Sequence, residues 1–141
     1  MNFKFLDESY FSKITELWSK AGLGFRPNGR DSVENIKKQL SRYPNMILGA
    51  FENEKLIGVA FLTDDGRKGW INRLAVAPEY QRRSIAQNLI TLAEQTFKNK
   101  GIKIYAALIE KDNEKSQNLF LKMRYKKTEI LYFRKKESEE D

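Results

Sequence analysis

Apolar positions change period several times along this chain, and each change marks an element. Phe3 to Leu6 is short and alternates, as an edge strand does. Tyr10, Ile14, Leu17, Trp18 and Ala21 recur at helical spacing, with Gly22 as the stop. Gly22 to Arg30 is loop by composition. Asp31, with Glu34 three residues on, has the form of a capping box. Val33, Ile36 and Leu40 then line one face of a helix that ends before Pro44. Met46 to Phe51 and Leu56 to Leu62 read as strands around a turn at Glu52-Asn53-Glu54-Lys55. Asp64-Asp65-Gly66 signals a second turn, and Trp70 to Val76 a further strand closed by Pro78.

The longest periodic stretch follows. Ile85, Leu89, Leu92, Ala93 and Phe97 predict a helix from about Gln81 to Lys100, stopped by Gly101. Ile102 to Ile109 is an apolar strand. Ser116, Leu119, Phe120 and Met123 mark a short helix capped by Asp112 or Asn113. Tyr125 to Arg134 is a last strand, and Lys135 to Asp141 a charged, frayed tail. The order β-α-α-β-β-β-α-β-α-β predicts a meander followed by a β-α-β unit, whose strands run parallel with a right-handed crossover. One domain is expected over residues 1–134, with 135–141 as the tail.

Composition narrows the chemistry. The chain has 141 residues, 40% hydrophobic and 12% aromatic, enough for one buried core. It has no cysteine and no histidine. Disulfides, thiolate metal sites, a cysteine nucleophile and a histidine base are therefore excluded, and no metal is expected. Lys plus Arg number 26 against 19 acidic residues, a net charge of +7. That excess suits an anionic partner or simply a solvated lysine-rich surface. No recognised nucleic-acid motif accompanies it, so nucleic acid is not expected. No apolar run approaches the roughly 20 residues that span a bilayer. The start, Met1 to Asp7, lacks the apolar stretch of a secretory signal, and a soluble cytoplasmic protein without membrane contact is expected.

The segment from Leu74 to Gln87 carries the most chemistry. A strand ends, a short turn follows, and a long helix begins. A helix start presents unpaired N–H groups and the positive end of its dipole, which suits a pyrophosphate. Arg82 and Arg83 add charge there. The plainer alternative is a helix start with exposed arginines.

These residues resemble the GNAT superfamily of N-acetyltransferases. In that family an apolar strand ending in Leu-Ala-Val precedes the loop pattern R/Q-x-x-G-x-G/A. Here Gln81-Arg82-Arg83-Ser84-Ile85-Ala86 matches at Gln81 and Ala86, with Ser84 at the first glycine. The second family motif, an Asn and a helix ending in Gly-Tyr or Gly-Phe, is matched at Asn113, Ser116, Leu119 and Tyr125. The order of elements fits over nearly the whole chain. Gly29-Arg30-Asp31-Ser32 and Trp70-Ile71-Asn72-Arg73-Leu74 look like a small microbial subgroup of unassigned substrate.

The resemblance implies an α/β (α+β) fold: a mixed, mostly antiparallel sheet of 6–7 strands, about four helices and a splayed parallel strand pair. It implies acetyl-CoA as co-substrate and direct transfer of acetyl to a primary amine on a small molecule, a peptide N-terminus or a lysine. Backbone groups of Leu74, Ala75 and Val76 would pair with the pantetheine like an added strand. The amides of Arg82, Arg83, Ser84, Ile85, Ala86 and Gln87 would hold the pyrophosphate, with Asn113 opposite. A helical Ser84 needs no unusual dihedral, although its Cβ could crowd the phosphates. Seven residues beyond Asn113, where relatives often carry an acidic tyrosine, stands Phe120. Tyr125 and Tyr132 are the substitute hydroxyls, with core or edge packing as their alternative. Glu110 is a base candidate that could equally be solvated. Asn72 and Arg73 occupy the strand where many relatives carry a glutamate base. Arg124 replaces the usual glycine before Tyr125, where a positive φ is expected.

The loop from Gly22 to Arg30 would select the acceptor. Phe25 could stack on it, and Arg26 or Arg30 could pair with a carboxylate. Asp31 sits at the same entrance or merely caps its helix. The apolar run Ile130 to Phe133 offers an edge for a second copy, so a homodimer is one expectation. Ser84 and Phe120 also allow another function, a non-catalytic CoA-binding regulatory domain.

Overall fold

The sheet is built around two central strands that read as unbroken apolar runs because both of their faces are covered. The computed structural model describes residues 1–81 and 83–141. Its strands are β1 (Asn2–Phe5), β2 (Ile47–Glu52), β3 (Lys55–Asp64), β4 (Lys68–Val76) and β5 (Ile104–Ala106). The helices are α1 (Phe11–Lys20), α2 (Val33–Arg42), α3 (Ile85–Asn99) and α4 (Glu114–Lys122). The strands lie in the order β1-β2-β3-β4-β5, antiparallel except for the parallel pair β4–β5. This is the mixed α/β, mostly antiparallel architecture that the sequence predicts.

One layer of core joins the sheet to α1 and α2 through Ile14, Trp18, Ile36, Ile47, Val59 and Phe61. The other joins it to α3 and α4 through Leu48, Ile57, Leu62, Leu89, Phe97 and Phe120. Each such side chain contributes about 1.5–3 kcal/mol when fully buried. Because β2 and β3 give alternate residues to two apolar layers, their polar alternation vanishes. Gly69 sets the depth of the second layer. A Cβ there would stand 2.5 Å from the Phe97 ring, so glycine lets α3 close onto β4. Phe97 in turn stacks on Tyr105, with 6.1 Å between ring centroids. Among the described residues no helix is long and apolar enough to cross a membrane.

Several expectations change. The cap of α2 is Ser32, whose side chain accepts from the Asn35 amide at 3.2 Å; Asp31 faces inward instead. α3 starts at Ile85, because Pro78–Tyr80 makes its own 3-10 turn. The strand expected over Ile102 to Ile109 keeps only Ile104–Ala106. Tyr125 to Arg134 is not a strand: Ile130, Leu131, Tyr132 and Phe133 are 65–87% exposed. A three-residue β5 offers little ladder on which a further strand could register. The sheet therefore has five strands among the described residues rather than 6–7, and the edge expected for a second copy is not formed. The tail folds back, since a Cβ at Gly29 would collide with the Glu140 carbonyl.

Candidate functional site

β4 and β5 begin together and then part. Their register runs Lys68↔Ile104, Gly69↔Tyr105 and Trp70↔Ala106, and stops there. β4 continues to Val76, held on its other side by β3 through Phe61↔Asn72, Val59↔Ala75 and Gly58↔Val76. From Ile71 to Val76 its β5-facing edge has no ladder partner among the described residues. Leu74 on this edge is half-buried, while Ala75 and Val76 are buried. An unpaired edge of this kind can accept an extended ligand as an extra strand.

The start of α3 lies just beyond that edge. Ser84 is its N-cap residue and makes no side-chain cap bond, which leaves the first-turn amides without a side-chain acceptor. Ser84 has φ +61°, in the left-handed region. This corrects the expectation of an ordinary helical dihedral: the position is one where glycine would sit without strain. Ile85 is in the core, and Ala86 and Gln87 are half-buried. Arg83 reaches away, its Nη2 lying 3.6 Å from Glu52 and its guanidinium 5.2 Å from the Tyr80 ring centroid. Arg82 falls outside the described residues.

Across the opening stands α4. Asn113 caps it by accepting from the Ser116 amide at 3.1 Å, as its sequence position predicts. Gln81 spans the gap. Its Nε2 donates to the Val76 carbonyl at 3.1 Å, and its Oε1 accepts from Lys115 Nζ at 2.8 Å. The motif marks Gln81, but nothing in the sequence marks Lys115 as its partner.

The three catalytic candidates do not converge. Glu110 is exposed, four residues past the end of β5, and its carbonyl accepts from the Asn113 amide at 3.0 Å. Tyr132 is exposed on the segment after α4. The Tyr125 hydroxyl donates to Glu94 Oε2 at 2.7 Å, and its ring meets Phe120 edge-on at 4.9 Å. Burial first, then the bond to Glu94, push the Tyr125 hydroxyl well above the ordinary tyrosine range. Glu94 lies about 14 Å along α3 from Ile85 by helical rise. Arg124 takes φ +72°, as its place after the helix predicts.

The loop from Gly22 to Arg30 is more tightly built than its composition suggests. Phe25 packs against Trp18 at 5.6 Å. Asp31 is only 6% exposed, and its Oδ2 accepts from the Arg26 amide at 2.7 Å. Arg30 Nε lies 3.8 Å from the same oxygen. Sequence reasoning missed the partner beneath them. Two residues of β4, Arg73 and Leu74, stand opposite the single Ala60 of β3, which makes a bulge. Arg73 takes φ +53° there. Its guanidinium lies 4.2 Å from the Trp18 ring centroid, with Nη2 3.7 Å from Asp31. Burial lowers its affinity for the proton, Asp31 raises it again, and Arg30 lowers it. A non-glycine bulge leaves no mark in the sequence. The only signal was a charged residue within a half-apolar strand. Among the described residues, no group of three or more acidic side chains is gathered as a metal site.

The chain was compared with known proteins. The family model described as "Acetyltransferase (GNAT) family" matches residues 11–125. The chain is 24% identical over 131 residues to an acetyltransferase of Pectobacterium atrosepticum, covering 93% of this chain and 92% of that one. It is 27% identical over 115 residues to an acetyltransferase of Sodalis glossinidius, covering 82% and 80%. Its fold is similar to the PaiA N-acetyltransferase of Thermoplasma acidophilum in complex with coenzyme A (TM-score 0.73, 24% identity, 86% and 87% covered). It is also similar to AAC(6′)-Iy in complex with a bisubstrate analogue (TM-score 0.76, 16% identity, 97% and 98% covered).

Proposed function

The chain belongs to the acetyltransferase (GNAT) family, and from that premise we propose that it transfers an acetyl group directly from acetyl-CoA to a primary amine. The observation that carries this reading is the parting of β4 from β5 beside the uncapped start of α3. The pantetheine arm adds to the free edge at Leu74, Ala75 and Val76 as a strand would. The pyrophosphate meets the amides from Arg82 to Gln87, where the helix dipole favours negative charge. Asn113 and the start of α4 close the opposite wall. Coenzyme A in the PaiA relative supports the same ligand here.

Transfer needs a neutral amine, whose ammonium form titrates near about 10.4, and a leaving thiolate that titrates near about 8.5. Attack of the nitrogen lone pair on the thioester carbonyl forms the amide bond and breaks the carbon–sulfur bond. The ammonium proton leaves through water, and Glu110, an exposed carboxylate between β5 and Asn113, is the proposed base. Phe120 cannot donate a proton, and the Tyr125 hydroxyl is committed to Glu94. Protonation of the thiolate therefore falls to water or to Tyr132, and orientation of the two substrates supplies much of the rate.

Ser84 and Phe120 favour the second reading, a CoA-binding regulatory domain without transfer. Calorimetric titration with acetyl-CoA and CoA, followed by thiol release over a panel of amines, separates the two. Binding with amine-dependent release is the expected result. Binding without release moves the assignment to the regulatory domain, and absence of binding removes both.

A further inference from the structure

We propose that Arg73 is the anchor for a carboxylate on the acceptor, which makes the acceptor an amino acid rather than a plain amine or polyamine. This rests on the acetyltransferase reading and narrows its acceptor class.

The guanidinium is out of balance with its surroundings. Its Nε and Nη2 are fully shielded from solvent, and neither has a hydrogen-bond acceptor among the described residues. Buried donors of this kind are rare and call for a physical reason. Asp31 sits at ion-pair distance, 3.7 Å, but its near oxygen already takes the Arg26 amide at 2.7 Å. That one carboxylate faces two guanidinium groups, those of Arg30 and Arg73. This cluster therefore has more positive than negative charge. A second orphan lies beside the first, because the Trp18 indole N–H, under the same guanidinium, is buried without an acceptor among the described residues.

A carboxylate supplies the negative charge that the shared Asp31 cannot give in full, through a charge-assisted hydrogen bond that an ammonium cannot accept. The Arg73 side chain is 20% exposed, and with Nε and Nη2 shielded, Nη1 is the nitrogen left for an incoming group to reach first. The position is also apt. Arg73 directly precedes Leu74, Ala75 and Val76, the edge proposed to hold the pantetheine. The bulge there gives Arg73 a left-handed φ of +53°, a conformation that costs energy in a residue with a side chain. An acceptor pinned by its carboxylate at Arg73 carries its amine a few bonds away, beside the cofactor strand.

The test compares free α-amino acids with their primary amides, which keep the amine and lose the charge. Wild-type protein is expected to prefer the acid in kcat/KM by at least about tenfold, the scale of one charge-assisted hydrogen bond. In Arg73→Gln this ratio is expected to fall to about one, and Arg73→Lys to restore part of it. Acetyl-CoA affinity and the melting temperature are followed in each variant to separate recognition from folding. Equal use of acids and amides by the wild type overturns the inference, as does an equal loss of both in Arg73→Gln. If no amine releases thiol, the acetyltransferase reading fails on its own. Saturation-transfer NMR of the same acids and amides in the presence of CoA then decides the point. Acid-selective binding that Arg73→Gln abolishes supports the anchor, and its absence ends it.

Discussion

The two halves of β4 do different work with the same backbone. From Lys68 to Trp70 the strand is paired on both sides, and Gly69 lets Phe97 lie flat against it. From Ile71 to Val76 it is paired on one side only, bulged at Arg73, and followed by the left-handed Ser84. The first half is regular, and at Gly69 its backbone meets the core ring of Phe97. The second, among the described residues, leaves a strand edge without a ladder partner and two guanidinium nitrogens without a hydrogen-bond acceptor. The contrast teaches where strain and orphaned donors are tolerated: beside an open strand edge, buttressed by a regular segment of the same strand.

Substitution should separate the halves. The largest effect is expected from Gly69→Ala, whose Cβ meets the Phe97 ring. Overpacking of this sort costs about 1–3 kcal/mol, so the melting temperature should fall by several degrees. Acetyl-CoA affinity measured well below that temperature should change little, and a large loss would mean that the halves are coupled.

Tyr125→Phe comes next. It removes the bond to Glu94 that ties the end of α4 to α3, at a cost of about 1 kcal/mol. Its pH dependence has a definite sign. The folded Tyr125 hydroxyl titrates above its unfolded value of about 10, because burial and Glu94 hold the proton on. Its contribution is thus complete below about pH 10 and lost as the pH rises further. Urea midpoints of wild type and Tyr125→Phe should differ at pH 8 and converge on the alkaline side.

The smallest effects sharpen the comparison most. Ser84→Gly and Arg124→Gly each remove a side chain from the left-handed region. Relief of about 1–2 kcal/mol is partly offset by the greater freedom of unfolded glycine. A net gain of at most about 1 kcal/mol is expected for each. Only Ser84→Gly should also tighten acetyl-CoA binding, by a few-fold, because only Ser84 lies at the proposed phosphate site. Equal affinity changes in the two would show that Ser84 acts through stability alone.

Much of the fold was legible in the sequence. Helical spacing located α1 and α3, the turn residues Asn53 and Glu54 located the β2–β3 hairpin, and the pair Asp112 and Asn113 announced the cap of α4, which is Asn113. Boundaries were less legible where two residues compete for one role. Asp31 and Ser32 are both good caps, and a buried bond to the Arg26 amide took Asp31 inward. The last strand failed for another reason. Thr128 to Phe133 has the side chains of a strand, but a strand needs a neighbour, and β5 is too short to provide one. The site was half legible. The motif pointed to the proposed cofactor edge and the α3 start. The Arg73 bulge and the Gln81–Lys115 bridge are long-range, and local pattern carries no trace of them.

That bridge has a consequence for the empty protein. An unpaired strand edge will accept any extended chain, including the same edge of another copy. Gln81 covers the carbonyl of Val76 and is itself held from α4 by Lys115. One side chain thus occupies the last carbonyl of the open edge. Gln81→Ala should leave the edge bare, and the protein would then be expected to self-associate as its concentration rises, more so without CoA than with it.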